Sequence, residues 1–114
     1  MIVANEVLPA FGEKIIRAYK LFRVRKDGSL GSLFIARRER LPVGKWLQSE
    51  VVPTKGFAVR PGWHACSEPR APHLSEVGRK WFEVEILAHK EHLRPESQGG
   101  LWYTAIWMRI VRPV

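Results

Sequence analysis

Residues 80–87, Lys-Trp-Phe-Glu-Val-Glu-Ile-Leu, constrain the fold more than any other stretch. Phe82, Val84 and Ile86 alternate with Trp81, Glu83, Glu85 and Leu87. That period of two places one set on each face of a pleated strand and has no counterpart on a helix. Glu83 and Glu85 read as the wet face of that strand. The segment Leu101-Trp-Tyr-Thr-Ala-Ile-Trp-Met-Arg-Ile-Val111 is rich in aromatic and β-branched residues and is apolar on both faces, as expected of a central strand covered on both sides.

Around these two segments the chain reads as a mainly β or α+β domain. Ala18–Arg25 is expected to be a strand with Phe22 and Val24 on one face and Tyr19, Leu21, Arg23 and Arg25 on the other, turning at Lys26-Asp-Gly-Ser29 into a returning strand at Ser32–Ala36. Leu41–Leu47, broken by Pro42 and Gly44, is expected to wrap the domain with Trp46 and Leu47 as anchors, and Gln48–Thr54 to continue as loop. Phe57–Arg60 and Trp63–Ser67 are expected to form a further strand pair about Pro61-Gly62. Ala71–Val77 suits one short helix, and His89–Gly100, with Pro95 and Gly99-Gly100, suits a surface loop. The expectation is a bent antiparallel sheet of five or six strands over residues 18–113, preceded by an arm at 1–17. At 114 residues this is one domain with one modest core.

Twelve Arg and seven Lys against 11 acidic residues give a formal charge of +8. A small domain so charged carries a positive potential that draws phosphates or acidic protein faces, and Arg adds bidentate binding and stacking. No apolar run reaches the roughly 20 residues of a membrane span. Residues 1–16 lack the basic start and continuous apolar core of a signal peptide, so the expected compartment is the cytoplasm, and a single cysteine excludes an internal disulfide.

Candidate binding groups are densest at 60–73, where Arg60, Trp63, His64, Cys66, Ser67, Arg70 and His73 fall within fourteen residues. Structural zinc usually brings paired cysteines, and there is one, so His64, Cys66, His73, His89 and His92 read as scattered histidines and a small thiol rather than a metal shell. A Cys66–His64 nucleophile and base would lack an identifiable orienting group and oxyanion donors. No catalytic residue, metal or cofactor is assigned. Trp46 and Trp107 are expected in the core, whereas Trp63, after Pro61-Gly62, is expected to present its ring to a base between Arg60 and Arg70. The predicted ligand set is Arg23, Arg60 and Arg70 for phosphate, Trp63 for stacking, and His64, Ser67 and Gln98 for hydrogen bonds.

The ordered motifs Tyr19-Lys-Leu-Phe-Arg-Val, Gly28-Ser-Leu-Gly-Ser-Leu-Phe, Pro42-Val-Gly-Lys-Trp-Leu, Lys55-Gly-Phe-Ala-Val-Arg-Pro-Gly-Trp-His, Ala71-Pro-His-Leu-Ser, Trp81-Phe-Glu-Val-Glu and Arg94-Pro-Glu-Ser-Gln-Gly-Gly resemble a family of small proteins encoded by bacteriophages and prophages. The resemblance spans nearly all of residues 18–113. It implies a phage setting, in which small basic proteins act on host nucleic acid, host enzymes or host defence. A second resemblance is to the ADP-ribosyltransferase type of core, whose order of groups is matched by Arg23 or His64, then Ser67, then Glu96 or Gln98. The expected function is non-enzymatic binding of a nucleotide or nucleic acid in the host cytoplasm. The alternatives are a protein-interaction inhibitor of a host defence system and an ADP-ribosyltransferase-like enzyme.

Overall fold

In the computed structural model, which describes residues 3–5, 14–33, 39–49 and 62–114, the alternating segment belongs to a strand of 15 residues, Arg79–Leu93. The strands in chain order are β1 (Val3–Asn5), β2 (Ile16–Val24), β3 (Leu30–Gly31), β4 (Trp46–Gln48), β5 (Trp63–Cys66), β6 (Arg79–Leu93) and β7 (Leu101–Pro113). A single 3₁₀ turn, Glu96–Gln98, joins β6 to β7. All pairings are antiparallel.

β6 pairs with β2 along 79–86 and with β7 along 82–93. β7 also pairs with β5, and β5 meets β2 at Tyr19 and Cys66. The order β2–β6–β7–β5–β2 therefore closes on itself as a four-stranded barrel, with β3 extending β2 and with β4 and β1 extending β7. Closure leaves these four strands with few open edges.

Both faces of the sheet are used. Ala18 and Phe22 of β2, Ala65 of β5, Val84 and Ile86 of β6, and Met108 and Ile110 of β7 belong to one fully or nearly buried cluster. Phe22 and Phe82 meet edge to face there, with centroids 5.7 Å apart. A second cluster gathers Leu21, Cys66, Ala71, Trp81 and Trp102 on the opposite face, and a third Trp46, Leu87 and Trp107. The expected two-sided cover of the last strand is present, as are the anchoring roles of Trp46 and Leu47. Asp27 holds the turn after β2 by accepting from the Ser29 hydroxyl and amide and from Arg40, and those bonds hold its carboxyl below the usual carboxylate range.

Several expectations require correction. Residues 71–77 form turns and bends rather than a helix. Ala71 and Leu74 are drawn onto the Cys66–Trp102 cluster. The described residues contain seven strands rather than five or six, because Val3–Asn5 and Trp46–Gln48 pair at the edge of the sheet. His89–Leu93 continues β6 instead of leaving as loop, since β7 supplies a partner for each backbone group on that side. The returning strand expected at Ser32–Ala36 is instead the two residues Leu30–Gly31, with Ser32 and Leu33 outside any strand, while residues 34–36 lie outside the described residues, as do 57–60 and most of 48–54.

Candidate functional site

Directly opposed residues of antiparallel strands point to the same face. Thr104 of β7 lies opposite His64 on β5 and Lys90 on β6, and Trp102 lies opposite Cys66 and His92. One face of the barrel end near the β6–β7 turn thus carries His64, Lys90, His92, Trp102 and Thr104. Glu91 and His89 stand opposite Tyr103 and Ala105 and belong to the other face, where His89 packs edge to face on Tyr103. Burial, and secondarily the Glu91 charge, push the Tyr103 hydroxyl up.

Trp102, 8% exposed, is the centre of this end. Its indole N–H donates to the Gln98 carbonyl at 2.6 Å, the Arg94 guanidinium lies 5.1 Å from its ring centroid, and His73 meets it edge to face at 6.0 Å. Thr104 Oγ1 and His92 Nε2 are 2.9 Å apart and share a hydrogen bond whose donor depends on the imidazole tautomer. The 67–77 segment closes over the cluster, with the Ser67 amide on the Leu101 carbonyl. Gly99 adopts φ +96°, and a Cβ there would stand 2.8 Å from the Arg70 carbonyl, so glycine sets the close approach of turn and loop. All four histidines of the chain, from β5, the 67–77 segment and β6, meet residues 102–104 of β7.

Of the seven predicted binding residues, the structure brings His64, Ser67, Arg70 and Gln98 to this end. Arg23 sits opposite Gly31 and Arg79, about 13 Å along β2 from Tyr19. Arg60 lies outside the described residues. Trp63 is corrected outright: it is 5% exposed, part of the main core, and its indole N–H donates to the Leu47 carbonyl at 2.9 Å, which leaves no ring face for a base. Lys90, His92 and Arg94 are absent from the predicted set because 89–100 reads as polar loop, and Trp102 because it reads as packing in the central strand 101–111. The signal for them is the alternation of Lys90, His92 and Arg94, which carries the period of two onward from Ile86.

Beneath the site, Lys20 shares the face of the core residues Ala18 and Phe22, and its ammonium donates to the His64 carbonyl at 2.7 Å. β2 and β5 share a single register pair at Tyr19 and Cys66. Lys20 therefore supplies the donor for His64 just where the two strands part. Burial lowers the Lys20 amine to about 8, against a smaller opposing pull from Cys66. Burial pushes the Cys66 thiol up to about 12, with Lys20 and Arg94 pulling weakly the other way.

The buried thiol cannot act as a thiolate nucleophile at neutral pH. Ellman's reagent at pH 8 is expected to leave Cys66 unmodified in the folded protein and to titrate one thiol per chain in 6 M guanidinium chloride. Rapid modification under native conditions would show the thiol to be accessible. The described residues contain no group of three or more His, Cys, Asp or Glu suited to a metal ion, and no helix among them is long and apolar enough to cross a membrane.

The chain matches no family model, no curated protein and no solved structure.

In the first half of β6 the charges are matched. Glu83, 8% exposed, takes Arg17 on one oxygen at 3.1 Å and Arg112 on the other at 3.0 Å, and Glu85 takes Arg109, which also lies over Trp46. Arginine there is spent on carboxylates of β6. Near Trp102, Glu91 is on the far face, and Glu68 and Glu96 of the neighbouring loop and turn are exposed.

Proposed function

We propose that this is a small basic phage-type accessory protein that binds an anionic, phosphate-bearing ligand, a nucleotide or nucleic acid, without chemistry, at the Trp102 end of the barrel. The observation that carries the reading is the convergence there of His64, His73, Lys90, His92 and Arg94, brought from β5, the 67–77 segment, β6 and the residue just after it. Arg94 and Lys90 supply charge, and His64 and His92 supply hydrogen bonds. Trp102 orients Arg94 through its ring rather than stacking on a base. Arg60 and Arg70 remain assigned to phosphate.

The test is the absorbance ratio at 260 and 280 nm of purified protein before and after a high-salt wash, followed by fluorescence anisotropy with a labelled oligonucleotide at 50 mM salt. Binding by the parent protein and at least tenfold weaker binding by Lys90→Ala/Arg94→Ala are expected, since two charge contacts at roughly 1 kcal/mol each exceed that factor. No binding of any nucleotide or nucleic acid would overturn the proposal and move the function to a protein partner, in keeping with an inhibitor of host defence.

A second reading draws on the gathering of His64, Ser67 and Gln98 at the same end: an ADP-ribosyltransferase-like activity. It requires turnover of a nicotinamide dinucleotide that His64→Ala or Gln98→Ala abolishes.

A further inference from the structure

We infer that the ligand of this face is a single nucleic-acid strand laid lengthwise along β6, with Lys90, His92 and Arg94 each on one of three successive phosphates. This rests on the anion-binding reading above and specifies its substrate class.

The three residues occupy positions i, i+2 and i+4, and their common face is fixed independently by three observations. Lys90 lies opposite Thr104, His92 lies opposite Trp102 and is hydrogen-bonded to Thr104, and Arg94 lies over the Trp102 ring. Glu91, between the first two, is turned away toward Tyr103. Alternate residues of an antiparallel strand are about 6.8 Å apart, and Arg94, just past the end of β6, keeps the ladder going by donating its amide to the Gly100 carbonyl at 2.8 Å, so Lys90, His92 and Arg94 form an evenly spaced line that a linear phosphate backbone can follow.

A mononucleotide would occupy one step of this row. A polyanion of matching repeat occupies all of it. The row is also held in place: Arg94 by the indole beneath it, His92 by Thr104, and both by the pairing of β6 with β7 up to Leu93 and Leu101. The aromatic ring at its centre is 8% exposed and already contacted by Arg94 and His73, so bases find no stacking platform on it. Recognition is accordingly of the backbone and indifferent to base sequence.

The experiment is fluorescence anisotropy with 5′-fluorescein oligothymidylates carrying one to eight phosphates, repeated from 50 to 300 mM NaCl. Affinity is expected to climb steeply up to three phosphates and only gradually beyond. Lys90→Gln and Arg94→Gln are each expected to flatten the slope of log K against log salt by about 0.7, the contribution of one phosphate of a single strand. Arg94→Lys keeps the charge and is expected to keep the slope, which separates a phosphate contact from a packing role on Trp102.

If the oligonucleotides bind but the glutamine variants keep the parent slope, the row is wrong while anion binding stands. A duplex that binds as tightly as a single strand of equal length overturns the single-strand assignment. If a lone nucleotide binds as tightly as the longer strands, the site is a one-phosphate site and the row is again wrong. If nothing with a phosphate binds, both readings fail together.

Discussion

Trp63→Ala is expected to remove about 3–5 kcal/mol of folding stability, the usual cost of deleting a buried indole. The ring is packed in the main core among residues of β2, β5 and β7, and its N–H is the donor to the Leu47 carbonyl. Truncation therefore opens a cavity and also strands a buried carbonyl, which adds about 1–3 kcal/mol where water cannot reach it. A domain of this size commonly has 5–15 kcal/mol in all, so the variant is expected to be partly unfolded at 25 °C or to melt far below the parent. Trp63→Phe keeps most of the apolar volume and loses the hydrogen bond, for about 1–3 kcal/mol. Urea denaturation followed by circular dichroism measures both. Oligonucleotide affinity of the folded fraction of Trp63→Phe is expected to equal that of the parent. A Trp63→Ala cost below about 1 kcal/mol, or loss of binding in a fully folded Trp63→Phe, would return Trp63 to the ligand set.

The second large effect is on the pH dependence of stability. The folded-state amine of Lys20 sits at about 8 against its ordinary value of 10.5. As pH rises through 8 the folded protein releases this proton while the unfolded chain still holds it. Unfolding then takes up a proton, so stability rises with pH by about 1.4 kcal/mol per unit. Cys66 has the opposite sign: its thiol is at about 12 folded against 9.0 unfolded, so above pH 9 the unfolded chain loses a proton that the folded protein keeps. From 9 to 10.5 the two slopes cancel. Above 10.5 the Cys66 contribution, joined by the raised Tyr103 hydroxyl, makes stability fall. The expected profile increases from about pH 8 to 9, is level to about 10.5, and declines beyond. In Lys20→Met the rise disappears and the decline begins near pH 9. In Cys66→Ala the rise continues to 10.5. Urea midpoints at half-unit intervals from pH 7 to 11 test this, and a parent profile that falls between pH 8 and 9 would contradict the buried position of the Lys20 ammonium.

The central strand segments of this protein were legible because their signals are local. Phe82, Val84 and Ile86 enter the core and Glu83 and Glu85 lie on the opposite face, but that face is not the wet one expected: Glu83 is buried beneath Arg17 and Arg112, between Trp81 and Glu85. Leu101–Val111 is apolar on both sides because one side meets the barrel interior and the other meets Cys66 or Trp46 with their neighbours. The site was half legible. His64, Ser67, Arg70 and Gln98 were singled out by residue type and do come together, but Trp63 was given the role of an exposed ring from its place after Pro61-Gly62. The ring is not presented to solvent: Gly62 at φ +113° packs against the Ala105 backbone, and Trp63 lies opposite Ala105, turned inward.

By itself the amino-acid sequence determined the strand character of β2, the first half of β6 and β7, the Asp27 turn, the excess of positive charge and the single thiol. Each of these depends on side-chain period, turn chemistry or composition, which act between residues close in the chain. The tertiary structure decided the rest: closure into a barrel, the extension of β6 through His89–Leu93, the absence of a helix at 71–77, and the meeting of four histidines on β7. The physical reason is that polar residues such as Lys90 and His92 have no strong preference of their own. Pairing with a partner strand settled their backbone, and that same pairing aligned them with Arg94 over Trp102.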